Sequence, residues 1–181
     1  MGVLFADVRG YTARTETTSP EDMARLMNRF YAAAIHVLSH HDAVIDKLVG
    51  DEVMALFIQG FAGKTYIEKM AASAEDLLRD IGFGKHDPWL PVGIGLDFGR
   101  AFVGNVGTAG VKDFTALGDV VNTAARIQGH AQPGQIVMTE RVYEVVGSRY
   151  PDAPFAELTL KGKREPVPTR IVDLSAAPVA P

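Results

Sequence analysis

Two kinds of apolar pattern alternate along the chain: short runs that are apolar throughout, and longer stretches where apolar residues return every three or four positions. The first predicts buried strands and the second amphipathic helices. Residues 3–8 form the first strand, ended by Gly10 in Arg9-Gly10-Tyr11-Thr12, and residues 15–19 read as a loop. Ser19-Pro20-Glu21-Asp22 is a helix start: Ser19 can cap, Pro20 suits the first turn, and acids suit the positive end of the helix dipole. Met23, Leu26, Met27, Phe30, Ala34, Val37 and Leu38 then mark one helical face to about His40. Residues 43–49 and 52–58 flank Gly50-Asp51 and predict a hairpin. A second helix over 66–81 carries Ile67, Met70, Ala71, Ala74 and Leu78, with a loop over 82–91.

Further on, residues 92–97 and 101–106 read as another strand pair around Phe98-Gly99-Arg100. Residues 113–116 are short and extended, and Asp119 is placed to cap a helix over 120–128, which Gly129 and Gln132-Pro133-Gly134 close. A strand over 135–139, a short helix over 140–146 and two strands near 157–161 and 169–174 follow. The expected fold is one α+β domain over 1–174, a sheet of hairpins and crossovers with helices packed on it, and residues 175–181 form a flexible end.

Composition narrows the functional classes. With 181 residues, 47% of them hydrophobic, the chain can bury one real core. A net charge of -4 argues against a general nucleic-acid binder. The absence of cysteine excludes disulfides, thiolate metal sites and thiol nucleophiles, and fits a cytoplasmic setting. No apolar stretch is long enough to span a bilayer, so no membrane contact is expected from this segment. The opening apolar run meets Asp7 and Arg9 too soon for a signal-peptide core. A strand starting almost at residue 1 is what a segment of a longer protein would show.

Three constellations carry chemistry. In Phe5-Ala6-Asp7-Val8-Arg9-Gly10-Tyr11-Thr12, an acid ends a buried strand beside the free N–H groups of a glycine turn, a combination able to hold magnesium next to a phosphate. In Lys47-Leu48-Val49-Gly50-Asp51-Glu52, Asp51 stands at a hairpin tip, where with Asp7 it could clamp two divalent ions. In the segment from Asp113 to Arg126, Asn122 and Arg126 stand four apart on one face of an otherwise apolar helix. Taken singly, each also has a plain structural reading as a turn cap, a polar hairpin or a rim ion pair.

Together the three segments resemble the class III adenylyl and guanylyl cyclases, with a ferredoxin-like, palm-type sheet. The resemblance implies that Asp7 and Asp51, with the Val8 carbonyl, hold two magnesium or manganese ions. Gly10, Tyr11 and Thr12 would lie along the phosphates. Lys47 and Thr115 would read the base, Asn122 would orient the ribose, Arg126 would stabilise the reacting phosphate, and Lys161 would bind phosphate. In this family the site forms between two protomers, so a head-to-tail homodimer with two shared sites is implied. Pro91 stands where many relatives carry a triphosphate-binding Arg, and Asp97-Phe98 replaces a common His or Asn followed by Ser or Thr; Arg9 or Arg100 would have to substitute.

Lys47 has donors only and serves adenine N1 or guanine O6, while the Thr115 hydroxyl can accept or donate. Residue chemistry therefore leans to ATP with GTP as the alternative. Guanylyl cyclases usually carry Glu at the Lys47 position, which sharpens the lean to ATP. A catalytically weak domain that only dimerises or senses nucleotide is a further alternative. The hairpin Val49-Gly50-Asp51-Glu52-Val53 also resembles that of diguanylate cyclases, a reading that leaves Lys47, Asn122 and Arg126 without a role.

Overall fold

The computed structural model describes residues 1–85, 87–108 and 110–175. In chain order the elements are β1 (Gly2–Val8), α1 (Tyr11–Thr15), α2 (Pro20–His40), β2 (Val44–Val49), β3 (Glu52–Phe57), α3 (Gln59–Ala62) and α4 (Tyr66–Ile81). Then come β4 (Val92–Phe98), β5 (Phe102–Thr108), β6 (Val111–Leu117), α5 (Asp119–Gln128), β7 (Gln135–Thr139) and α6 (Glu140–Val146). A 3₁₀ turn (Gly147–Arg149), β8 (Phe155–Leu158) and β9 (Val167–Asp173) complete the described chain. The tail read from residue 175 on lies, apart from Ser175, outside the described residues.

Seven strands form one sheet in the order β2-β3-β1-β4-β7-β9-β8, and β5 and β6 form a separate two-stranded ribbon. Among β2, β3, β1 and β4 every pairing is antiparallel; β4 and β7 run parallel. With α2 and α4 as crossovers, the first four strands make the βαββαβ unit of ferredoxin-like folds.

Local chemistry explains the long helices. Ser19 Oγ accepts the Asp22 N–H at 3.1 Å and starts α2, while Gly82, at φ 118°, ends α4 in a left-handed conformation that side chains resist. The even-numbered residues of β1, Leu4, Ala6 and Val8, face α2 and α4 through Phe30, Leu38, Met70 and Leu78. Val3 and Phe5, on the other face, join Met54, Leu56, Ala116, Val120 and Ala124 beneath α5 and the β5–β6 ribbon. Helix α5 can lie close on β4 because Gly95 carries no side chain: a Cβ there would sit 2.5 Å from the Ala124 carbonyl oxygen.

Two expectations are corrected. Residues 92–97 and 101–106 do not pair with each other, because β1 and β7 occupy both edges of β4 and β5 pairs with β6 instead. Asp119 lies inside the first turn of α5, with Gly118 at the cap position, and its carboxylate takes Lys163 Nζ at 2.6 Å. Between Gly10 and the loop, Tyr11–Thr15 form a short helix to which the sequence reading assigned no element.

Asp97 is fully buried and accepts from Arg141 Nε at 2.6 Å, from Thr139 Oγ1 at 2.7 Å and from the Phe98 N–H at 2.9 Å. The departure at Asp97 thus builds an internal ion pair with Arg141. Replacing Arg141 by Leu should leave that carboxylate short of charge compensation. The expected cost is about 2–4 kcal/mol, less than a fully buried pair would show because the guanidinium is partly solvated. Urea unfolding, with the midpoint shifting at constant slope, checks it.

Candidate active site

The register of the central strands assembles the acidic end of the site. Asp7 stands opposite Glu52 in the β1–β3 pairing, and the Val8 N–H donates to the Asp51 carbonyl at 3.2 Å. The β2–β3 turn holding Asp51 is pinned from the other side, where the Tyr31 hydroxyl of α2 donates to the Gly50 carbonyl. Gly50, at φ 62°, supplies the left-handed step that the tight turn needs. Asp7 continues the odd-numbered series of β1 and faces the α5 side of the sheet, as do Val3 and Phe5.

Electrostatics mark this end. Asp51 is pushed up from 3.8 to about 6, first by burial and then by the Asp7 carboxylate beside it. Glu52 is raised for the same reasons, burial first and then Asp7 and Asp51. Arg9 pairs with Asp7, and its backbone N–H donates to the Pro91 carbonyl at 2.7 Å. The Arg9 Nε is buried without a hydrogen-bond partner. Arg9 therefore brings a cation onto Asp7, at the strand end whose backbone is tied to Pro91. Arg100 follows β4 at the opposite end of the sheet, roughly 20 Å of strand from Pro91, and cannot serve the same chain's carboxylates.

Two carboxylates and a strand-end carbonyl are hard oxygen donors, and burial plus mutual repulsion makes their negative charge costly to hold unaided. That donor set fits a magnesium or manganese ion. After Gly10, itself left-handed at φ 72°, the first N–H groups of α1, from Tyr11 and Thr12, have no intrahelical acceptor.

The raised values carry a sign for stability. Between about pH 4 and pH 6 the folded chain holds on Asp51 a proton that the unfolded chain has released. Stability contributed by this group is therefore present below pH 4 and lost as pH rises through 6. In divalent-free buffer, Asp51→Asn should flatten the fall in Tm over that interval, read by calorimetry; a slope identical to wild type would contradict the assignment. Glu52, raised in the same direction, keeps a residual slope.

A second group lies two strands and two register positions away, on the order of 10 Å across the same sheet face. Lys47 of β2 pairs with Asp113 of β6, and Thr115 Oγ1 of β6 donates to Asp46 Oδ2 at 3.0 Å. The Asp113 hydrogen bond, ahead of other causes, raises the Lys47 ammonium above its ordinary value. Asp113 and Thr115, two apart on a strand, share a face; Asp46 and Lys47 are adjacent and ordinarily would not. A bulge between Ile45 and Lys47 shifts the β2–β3 register and turns both toward β6.

The third group is on α5. Val120, Ala124 and Ile127 face inward, Asn122 is exposed and Arg126 half-buried. A Cβ built on Gly162 would lie 3.5 Å from Arg126 Nη2, so the guanidinium sits against the Lys161-Gly162 turn. Lys161 itself is exposed, and its neighbour Lys163 is the one tied to Asp119. Asp7, Lys47 and Thr115 thus lie on the α5 side of the sheet, with Asn122 and Arg126 on α5 itself, while the Val8 and Tyr11 side chains pack on the α2/α4 side. Asp46, Asp113 and the pairing of Arg9 were not assigned from the sequence: Asp113 could have been found from its two-residue spacing to Thr115, but nothing local announces the bulge at Asp46.

The model of the adenylate and guanylate cyclase catalytic domain matches residues 1–171, and the chain belongs to that family. An adenylate cyclase of Anabaena cylindrica is 34% identical over 134 residues, covering 71% of this chain and 27% of that protein. A terminal-differentiation-specific adenylate cyclase of Dictyostelium discoideum is 29% identical over 174 residues, covering 91% of this chain and 8% of its own length. The chain thus spans a small part of these curated relatives. Among solved structures, the guanylyl cyclase Cya2 superposes with a TM-score of 0.83 at 27% identity, covering 94% of this chain and 89% of that one. The adenylyl cyclase CyaB from P. aeruginosa gives 0.80 at 24% identity, covering 95% and 93%. The α+β, palm-type fold read from the sequence is the observed one. Among the described residues no helix is long and apolar enough to cross a membrane.

Proposed function

We propose that residues 1–174 are the catalytic domain of an adenylate cyclase, converting ATP to 3',5'-cyclic AMP and pyrophosphate at sites shared by two copies of the chain. The observation that carries the reading is the Lys47–Thr115 pair, held across β2 and β6 on the sheet face that also bears Asp7 and Asp51. Curated relatives named adenylate cyclase support the same substrate.

In the reaction the ribose 3'-oxygen attacks the α-phosphorus, the new O3'–P bond forms, and the bond to the β-phosphate oxygen breaks to release pyrophosphate. Magnesium or manganese ions, when bound, neutralise the triphosphate and acidify the 3'-hydroxyl. Asp7, Asp51 and the Val8 carbonyl would hold them. Backbone N–H groups from Gly10, Tyr11 and Thr12 face the phosphate oxygens, with Arg9 adding the charge that Pro91 does not. Asn122 orients the ribose for in-line attack, Arg126 balances charge developing on the α-phosphate, and Lys161 steadies the phosphates from the neighbouring turn. Lys47 donates to adenine N1 and Thr115 accepts from the N6 amine.

Phe102 and Leu117, direct partners on the β5–β6 ribbon, are each more than half exposed, an apolar pair suited to contact with a second copy. A head-to-tail homodimer would bring the Asp7/Asp51 end of one chain to the Lys47, Thr115, Asn122 and Arg126 end of its partner. The experiment for the reaction is stoichiometric: ATP should give cyclic AMP and pyrophosphate in equal amounts, without free phosphate. The segment is expected to work in the cytoplasm, where ATP is supplied.

A further inference from the structure

The Asp46 side chain is 1% exposed, yet only one of its oxygens has a hydrogen-bond partner: Oδ2 accepts the Thr115 hydroxyl at 3.0 Å, while Oδ1 is buried with none. Burying a carboxylate so incompletely satisfied is costly, and its upkeep calls for a return in function. The Lys47 ammonium lies 3.7 Å from the same Oδ2. Asp46 reaches this position only because of the bulge that turns it and Lys47 to the same face.

A hydroxyl has one proton and two lone pairs. Once the Thr115 proton is committed inward to the Asp46 Oδ2 oxygen, the outward side of Thr115 can only accept. Adenine offers a donor there, the N6 amine; guanine offers the O6 acceptor, which would meet lone pairs. We infer that Asp46 is a positioning residue for base selection: by fixing the direction of the Thr115 hydroxyl and holding the Lys47 ammonium alongside, it converts an ambiguous pair into an adenine reader. This rests on the cyclase reading, in which the base lies against Lys47 and Thr115.

Asp46→Asn tests it. The amide keeps the shape but can donate to Thr115 Oγ, releasing the hydroxyl proton outward toward guanine O6. Binding of α,β-methylene ATP and α,β-methylene GTP, which cannot lose pyrophosphate, is measured by calorimetry on the dimeric protein with magnesium. Wild type should favour the adenine analogue, and Asp46→Asn should narrow the adenine-to-guanine affinity ratio about tenfold or more. In a Thr115→Val background, with no hydroxyl left to orient, Asp46→Asn should leave the ratio unchanged. Should Asp46→Asn fail to fold, Asp46→Ser, which is smaller and can also donate, should narrow the ratio in the same direction. A folded Asp46 variant with the wild-type ratio, or a wild type without adenine preference, overturns the inference. A wild type that prefers the adenine analogue yet makes no cyclic nucleotide from ATP defeats the cyclase reading and leaves the clamp standing.

Discussion

Arg126→Ala should lower the turnover of ATP by about 10³-fold while changing KM only a few-fold, because its guanidinium is assigned to charge that develops on the α-phosphate in the transition state. The setting supports a selective effect. Arg126 is half-buried on a helix whose packing is carried by Val120, Ala124 and Ile127, and it rests on the Lys161-Gly162 turn without a side-chain acceptor of its own among the described residues. Removing it leaves no carboxylate stranded, so the fold should survive and the loss should be chemical. Steady-state kinetics with magnesium-ATP, alongside Tm, read the two apart. A large rise in KM with turnover intact would reassign Arg126 to ground-state binding.

Mixing two inactive chains gives the second large effect. Asp51→Ala lacks a metal carboxylate and Arg126→Ala lacks the phosphate guanidinium, so each alone should be nearly silent. If sites are shared, a mixed dimer has one site that draws Asp51 from one chain and Arg126 from the other, both intact. Random pairing at equal amounts makes about half the dimers mixed, each with one working site of two, so roughly a quarter of wild-type activity should return. Activity that stays at the level of the separate variants, with mixed dimers confirmed by mass, would place each complete site within one chain. The exposed Phe102 and Leu117 give a further handle, since polar replacements there should weaken the dimer and the rescue together.

Elements whose identity is decided by their own residues were legible in the sequence. The Ser19 cap and an uninterrupted apolar face defined α2, the apolar face alone defined α4, and β1 and β7 stood out as short apolar runs bounded by turns. What could not be read was the choice of partners. The Phe98-Gly99-Arg100 turn between apolar runs looks like a hairpin, but β4 satisfies both edges with β1 and β7, and β5 is left to pair with β6. The site divided in the same way. Asp7, Asp51, Lys47, Thr115, Asn122 and Arg126 were recognisable by type and order, and the sheet brings them to one face. Asp46 was hidden because strand alternation sends it away from Lys47, and only the bulge reverses that. Arg9 was separable from Arg100 only once the register had put one at the Asp7 end and the other at the far end.

The central claim is tested most directly by chromatographic analysis of products after incubation with ATP or GTP, each with magnesium and with manganese. The account predicts cyclic AMP from ATP, little cyclic GMP from GTP, and loss of product in Asp51→Ala. No cyclic nucleotide under any of these conditions, from protein confirmed as a dimer, would contradict it.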